Sequence, residues 1–287
     1  MEIDKIHHFP GHMKKAFDTL ARLLSLVDLV IEIVDARAPL SSANPFLREA
    51  IGNKKSLLVF TKTDLADPER TKRWAAYYRE KGQEPLTIDL KREKALPKVL
   101  SLIEPLLAAK REKEKRYGMK PQKSRLLIVG IPNVGKSTLI NNLAGRIRAK
   151  SANRPGVTRA EQWINLPSSL MLLDTPGILP SSYGDAKVAI KLALLGSISQ
   201  EVLPGTDLAR ALFGFLRENY PQSLTERYGI PDLSPLDSDA SFKEIALRRG
   251  FLSSGAEPDL DKAALALLKD FQDGKLGRLS LEDPIDA

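Results

Sequence analysis

Gly130-Ile131-Pro132-Asn133-Val134-Gly135-Lys136-Ser137-Thr138 is the stretch whose reading decides the fold of this chain. It follows Leu126-Leu127-Ile128-Val129, an apolar run that reads as a buried strand, and it leads into Thr138–Leu143, which reads as a helix. Strand, G-x-x-x-x-G-K-S and helix in that order make a phosphate-binding loop. Its two glycines let backbone N–H groups converge on phosphate at the positive end of a helix. In such a loop Lys136 reaches the β- and γ-phosphates of a nucleotide and Ser137 offers its hydroxyl to Mg²⁺. Asn133, Val134, Gly135 and Thr138 complete the cradle. Loops of this kind usually open a domain; this one sits near the middle of the chain.

Working outward, the strands alternate with helices on both sides of the loop. Leu29–Val34, Ser56–Phe60 and Pro85–Ile88 read as three strands before it, and 161–165 and Leu170–Leu173 as two after it. Helices are predicted near Pro45–Ala50, from Pro68 to about Lys81, and from Leu96 to about Lys115 with a kink at Pro105. A helix from Lys14 should dock Phe17, Leu20 and Leu24 on the body. The basic run 108–125 reads as a solvated connection between halves, and Arg146–Arg159, basic and broken by Pro155-Gly156, as a mobile loop. After Gly184 strand signals vanish. Asp185–Ser197, Asp207–Asn219, Ser241–Arg249 and Pro258–Asp273 read as helices, with Ser241 and Glu244 as a capping box. Leu260, Ala264, Leu267, Leu268 and Phe271 form one apolar stripe, the core of a small helical domain.

Composition narrows the classes. The chain has 287 residues, 43% hydrophobic and 28% charged, which suits a soluble α/β domain with a smaller second one. It holds no apolar run of about eighteen residues and its first residues lack a signal-peptide pattern, so a cytoplasmic protein away from membranes is expected. The absence of cysteine excludes disulfides, thiolate metal sites and cysteine catalysis. A net charge of +8 makes nucleic acid a plausible partner.

Two further motifs specify the nucleotide. Asp174-Thr175-Pro176-Gly177 closes the strand at Leu170–Leu173; in this chemistry the carboxylate of Asp174 holds Mg²⁺ and the Gly177 N–H meets the γ-phosphate. Thr158, in the basic loop, is the natural second hydroxyl ligand of Mg²⁺. Thr61-Lys62-Thr63-Asp64 follows the strand Ser56–Phe60. The Asp64 carboxylate can accept from both the ring N–H and the exocyclic amine of guanine, a donor pair adenine lacks on that edge. A lysine stem at Lys62 lies along base and loop, and Thr61 stands where an asparagine is usual. Asp64 therefore argues against an ATP-using small-molecule kinase.

The base motif precedes the phosphate loop, the reverse of the Ras-like order. With Phe9-Pro10-Gly11-His12-Met13, Asp35-Ala36-Arg37-Ala38-Pro39 and the tail Gly274–Arg278, the chain resembles, over almost its whole length, the circularly permuted ribosome biogenesis GTPase A family (RbgA/YlqF). The resemblance implies a P-loop α/β GTPase domain, Ras-like with a six-stranded and mainly parallel sheet in rotated order, followed by an all-α domain that contacts RNA. The expected division is 1–25 as a docking segment, 26–183 as the permuted GTPase domain and 184–287 as the helical domain. The implied activity is GTP hydrolysis, slow alone and stimulated by the large ribosomal subunit or its precursor, with GTP-state binding to rRNA, release as GDP, and a monomeric protein. A non-catalytic GTP-dependent RNA-binding module is the alternative.

The resemblance also bears on single residues. Ile178 stands where Ras-type enzymes place a water-orienting glutamine, and the family nominates His12 for that work; His12 as an anchor or RNA contact is the other reading. Asn133 occupies the position that helps bind K⁺ in related GTPases, or else fixes the turn. Asp89-Leu90 stands where the base-capping pair is expected.

Overall fold

β1 (Leu29–Asp35), β2 (Ser56–Thr61), β3 (Leu86–Thr87), β4 (Ser124–Val129), β5 (Gln162–Leu166) and β6 (Leu170–Asp174) form one sheet in the order β3-β2-β1-β4-β6-β5. All neighbours are parallel except β5 and β6, which pair antiparallel. The computed structural model describes residues 19–145, 162–174, 185–198, 204–230 and 237–286. The chain divides into two compact units, Met1–Gly184 with Glu282–Ala287, and Asp185–Leu281.

Every residue of β1 is buried, as expected of a parallel strand covered on both faces. The first unit's described helices are α1 (Pro45–Ile51), α2 (Pro68–Glu80), α3 (Ala95–Arg116) and α4 (Lys136–Ala144), besides the helical residues 19–25. Leu20, Leu23 and Leu24 pack with Leu47, Ile51, Val30 and Leu127 in one core cluster. Phe17 lies outside the described residues. A second cluster joins Val34, Leu58 and Phe60 to Trp74 and Tyr78 of α2. That helix starts where Asp67 accepts from the N–H groups of Glu69 and Arg70, with proline at its first position. From β1 the chain steps to β2 and β3 on one side, while β4 lies on the other. The β1–β4 boundary is therefore the topological switch point, where an open α/β sheet takes its ligand.

The basic run differs from the sequence reading. Through Arg116 it is part of α3, which continues past Pro105. Lys110 reaches the Asp28 carboxylate at 2.6 Å, and Arg111 donates to the Gln122 carbonyl at 2.9 Å and pairs with the buried Glu114 at 3.2 Å. Glu114 lies at helical spacing from Lys110 and Arg111, while Asp28 and Gln122 come from neighbouring segments, so these two cations fasten α3 down instead of solvating a linker. Only residues 117–123 connect α3 to β4.

The second unit holds α5 (Ala186–Leu194), α6 (Gly205–Asn219), α7 (Pro221–Tyr228), α8 (Ser238–Arg249) and α9 (Leu260–Gln272). α9 packs against α6 and α8 through Ala264, Leu267, Leu268 and Phe271, and Phe213 meets Phe242 edge-on at 5.9 Å. Helix α7 is absent from the sequence reading because eight residues hardly set up a periodicity. The capping box at Ser241 is also corrected. Helix α8 begins three residues earlier, where Asp237 accepts from the Ala240 N–H at 2.8 Å, and Ser241 is buried inside the helix. A carboxylate at the N-cap is favoured by both the free N–H groups and the helix dipole.

The tail belongs to the first unit. Glu282, 5% exposed, accepts from the N–H groups of Leu40 at 2.9 Å and Ser41 at 3.1 Å and from the Ser41 hydroxyl. Trp74 donates its indole N–H to the Glu282 carbonyl at 3.3 Å, and Asp283 pairs with Arg73 and Arg70. No described helix is long and apolar enough to cross a membrane.

Candidate nucleotide-binding site

The carboxyl ends of β3, β2, β1, β4 and β6 lie side by side, and each carries one of the segments singled out in the sequence. In spatial order these are Asp89-Leu90, Thr61–Asp64, Asp35–Pro39, the phosphate loop and Asp174. Strand pairing alone thus gathers motifs that are far apart in the chain.

The phosphate loop has the backbone its letters require. Gly130 lies so close to β1 that a Cβ would meet the Ile33 carbonyl oxygen at 2.7 Å. Asn133 and Gly135 take positive φ, 61° and 105°, and Gly135 caps α4. Lys136 is buried and donates to the carbonyls of Gly130 at 3.1 Å and Ile131 at 2.8 Å, which holds the ammonium across the loop. Val134 is buried, Ser137 half-buried and Thr138 exposed in the first turn of α4. A loop that tolerates no Cβ at Gly130 and leads into a helix N-terminus fits a polyphosphate.

The base motif is bound to that loop. The Thr61 hydroxyl lies within hydrogen-bond distance of the carbonyls of Val134 and Val34, and a Cβ on Gly135 would be 3.4 Å from it. Thr61 is fully buried, so it joins two loops from behind. Lys62 adopts φ 55° and pairs with the Asp35 carboxylate at 3.0 Å. Thr63 is half-buried, and Asp64 pairs with Lys91 of the β3–α3 loop at 2.7 Å.

Asp89 and Leu90 have tasks inside their own loop. The Asp89 N–H donates to Glu93 at 2.9 Å, its carboxylate accepts from the Lys91 N–H at 2.9 Å, and the Leu90 carbonyl accepts from Asn142 at 3.2 Å. Asn142 also donates to the Glu93 carbonyl at 2.8 Å and accepts from the Ala95 N–H at 2.7 Å, so one amide on α4 staples this loop.

Sequence reasoning gave no site role to Asn142, Lys91, Asp35 or Arg37. Asp35 and Arg37, at an i, i+2 spacing on a strand end, carried a signal; Asn142 carried only that of a polar residue on an apolar helix. Arg37 forks onto Asp35 with Nε–Oδ1 at 3.0 Å and Nη2–Oδ2 at 2.8 Å, and its own N–H adds a third bond at 3.0 Å. Burial alone would raise the Asp35 carboxyl. The Arg37 guanidinium and Lys62 ammonium overturn that and hold it far below the usual carboxylate range. Burial pulls the Lys62 ammonium down, with Asp35 acting against it.

Asp174 is the last residue of β6. His12, Thr158, Gly177 and Ile178 lie outside the described residues, as do His7, His8 and the basic loop Arg146–Arg159. Among the described residues no cluster of three His, Asp or Glu side chains could hold a metal by protein ligands alone. A Mg²⁺ site built from one hydroxyl, one carboxylate and phosphate oxygens needs no such cluster.

Comparison with known proteins gives the same picture. Residues 125–209 match the family of 50S ribosome-binding GTPases. Ribosome biogenesis GTPase A of Bacillus cereus is 42% identical over 279 residues, 97% of this chain and 94% of its own length. GDP-bound YlqF superposes with a TM-score of 0.66 at 29% identity, covering 93% of this chain and 100% of that one. GNP-bound YlqF from T. maritima gives 0.64 at 28% identity, covering 94% and 98%. With the nucleotide motifs gathered at the switch point of a permuted sheet, these likenesses place the chain in the ribosome biogenesis GTPase A family.

Proposed function

We propose that this GTP hydrolase is an assembly factor of the large ribosomal subunit in the cytoplasm, acting as a monomer that binds precursor particles and their rRNA in its GTP state and leaves after hydrolysis. The observation that carries the reading is the convergence of phosphate loop and base motif at the β1–β4 switch point, in a chain similar to ribosome biogenesis GTPases over nearly its whole length.

In this reading the loop amides orient the phosphates and Lys136 neutralises charge that builds on them during transfer. Asp64 accepts from guanine, with Lys91 giving way to the base. Ser137, Thr158 and Asp174 would hold Mg²⁺, and Gly177 would donate to the γ-phosphate. When bound, that ion screens the β- and γ-oxygens. Asn133 is the residue for K⁺ if the enzyme uses it. His12 orients the attacking water, because Ile178 has no group to do so.

Cosedimentation with large subunits and their precursors, with a non-hydrolysable GTP analogue against GDP, tests the proposal. Binding favoured by the analogue supports it; equal binding in both states rejects the cycle. Stimulated turnover distinguishes the catalytic reading from a passive RNA-binding module. His12→Ala should lower stimulated hydrolysis and spare nucleotide affinity, and unchanged stimulated turnover would remove His12 from the mechanism.

A further inference from the structure

Asp35-Ala36-Arg37 takes no part in the chemistry above, yet its charges are closed off from water: Asp35 is 0% and Arg37 2% exposed. A buried ion pair is rarely retained for stability alone, since apolar residues of like volume often serve as well. The Arg37 fork fixes the plane and position of the Asp35 carboxylate, leaving Oδ2 within 3.0 Å of the Lys62 ammonium. Lys62 sits two residues before Asp64 and holds a left-handed backbone at φ 55°, a conformation that a non-glycine residue keeps only when its surroundings impose it. The Ala36 N–H also donates to the Thr61 carbonyl at 3.0 Å, and Asp35 lies opposite Thr61 in the ladder. Backbone and side chain of the Asp35 segment thus both grip the start of the base loop. Behind Asp35, the Ser42 hydroxyl accepts from its N–H at 2.9 Å, and the adjoining residues Leu40 and Ser41 are held by Glu282.

We propose that Asp35 is a positioning residue for guanine selection: clamped by Arg37, it anchors Lys62 so that the loop presents the Asp64 carboxylate squarely to the two donors of the base. It touches no nucleotide. Its effect falls on the part of recognition that depends on aim, the simultaneous acceptance of the ring N–H and the exocyclic amine. Losing the anchor should weaken guanine far more than hypoxanthine, which lacks the amine. A general loosening of the fold would weaken both bases alike.

The inference rests on the reading of Asp64 as the base-selecting group, and the experiment separates the two. Affinities for GDP, inosine diphosphate and xanthosine diphosphate are measured by displacement of a fluorescent nucleotide. In Asp35→Asn the GDP-to-inosine-diphosphate preference should fall about tenfold, with inosine diphosphate itself changed little. Asn at this position leaves two cations underpaired, so Lys62→Met serves as the second variant. It keeps the stem and the Asp35–Arg37 pair and should lose the same preference. The double variant should lose no more than either single one. Equal weakening of GDP and inosine diphosphate, an unchanged ratio, or additive losses in the double variant would overturn the proposal. Asp64→Asn is the control, which should move preference to xanthosine diphosphate; failure there would reject the guanine reading itself.

Discussion

At the scale of the residue, two buried carboxylates on β1 have opposite electrostatics. Asp35 is held ionised by Arg37 and Lys62. Burial pushes the Glu32 carboxyl up, against Arg48, whose Nε lies 3.4 Å away and whose Nη2 also reaches the Tyr78 hydroxyl at 3.0 Å. The signs follow from linkage. The depressed Asp35 supplies stability that is present above the unfolded aspartate value of about 3.9 and fades as pH drops below it. The raised Glu32 works the other way. Its folded form is favoured at low pH and loses stability as pH rises above about 4.3, up to its own elevated value. Glu32→Gln should therefore gain stability relative to the parent between pH 4 and pH 7, measured by urea unfolding at both. A gain that shrinks with rising pH would contradict the assignment.

At the scale of the element, the structure turns on which loops are tied to which helices. The strands are legible because β1, β2 and β4 are nearly unbroken apolar runs, the mark of parallel strands buried on both faces. The ties are not legible, because they are single polar contacts between remote segments. Asn142 is the example: nothing near it in sequence announces that its amide holds Leu90, Glu93 and Ala95. Asn142→Ala should cost about 1–3 kcal/mol of stability by leaving these backbone groups unsatisfied. It should also weaken GDP binding by loosening the Asp89-Leu90 loop beside the base motif. Denaturation and nucleotide titration test this together, and wild-type behaviour in both would show the staple to be dispensable. The run 108–116 shows the reverse error, since charge density suggested a solvated linker while the segment is helical and Lys110 and Arg111 find partners on and beside α3.

At the scale of the whole molecule, the chain leaves the nucleotide domain after β6, builds a unit of five described helices, and returns for its last residues. That return is anchored through Glu282 and Asp283 on the Leu40–Ser41 turn and α2. Glu282→Ala would bury unsatisfied N–H groups and should destabilise the nucleotide domain by about 3 kcal/mol, read from denaturant unfolding of the full chain. A loss below about 0.5 kcal/mol, within the usual range for a surface change, would mean that the tail is not a fastening.

The fold class and the permuted order of motifs were legible in the chain itself, and its motifs pointed to a guanine nucleotide. Those rest on local patterns: apolar runs that must be buried, glycines that must curl, and a carboxylate of the type that can accept from two donors. Tertiary contacts set the rest: the Thr61 hydroxyl reaching the phosphate loop, Asp35 pairing with Lys62, and the tail returning to the first unit. These depend on which strand ends become neighbours and which few polar side chains meet across them. Short-range periodicity does not encode such meetings, since each is a single contact whose partner is chosen by the packing of the whole sheet.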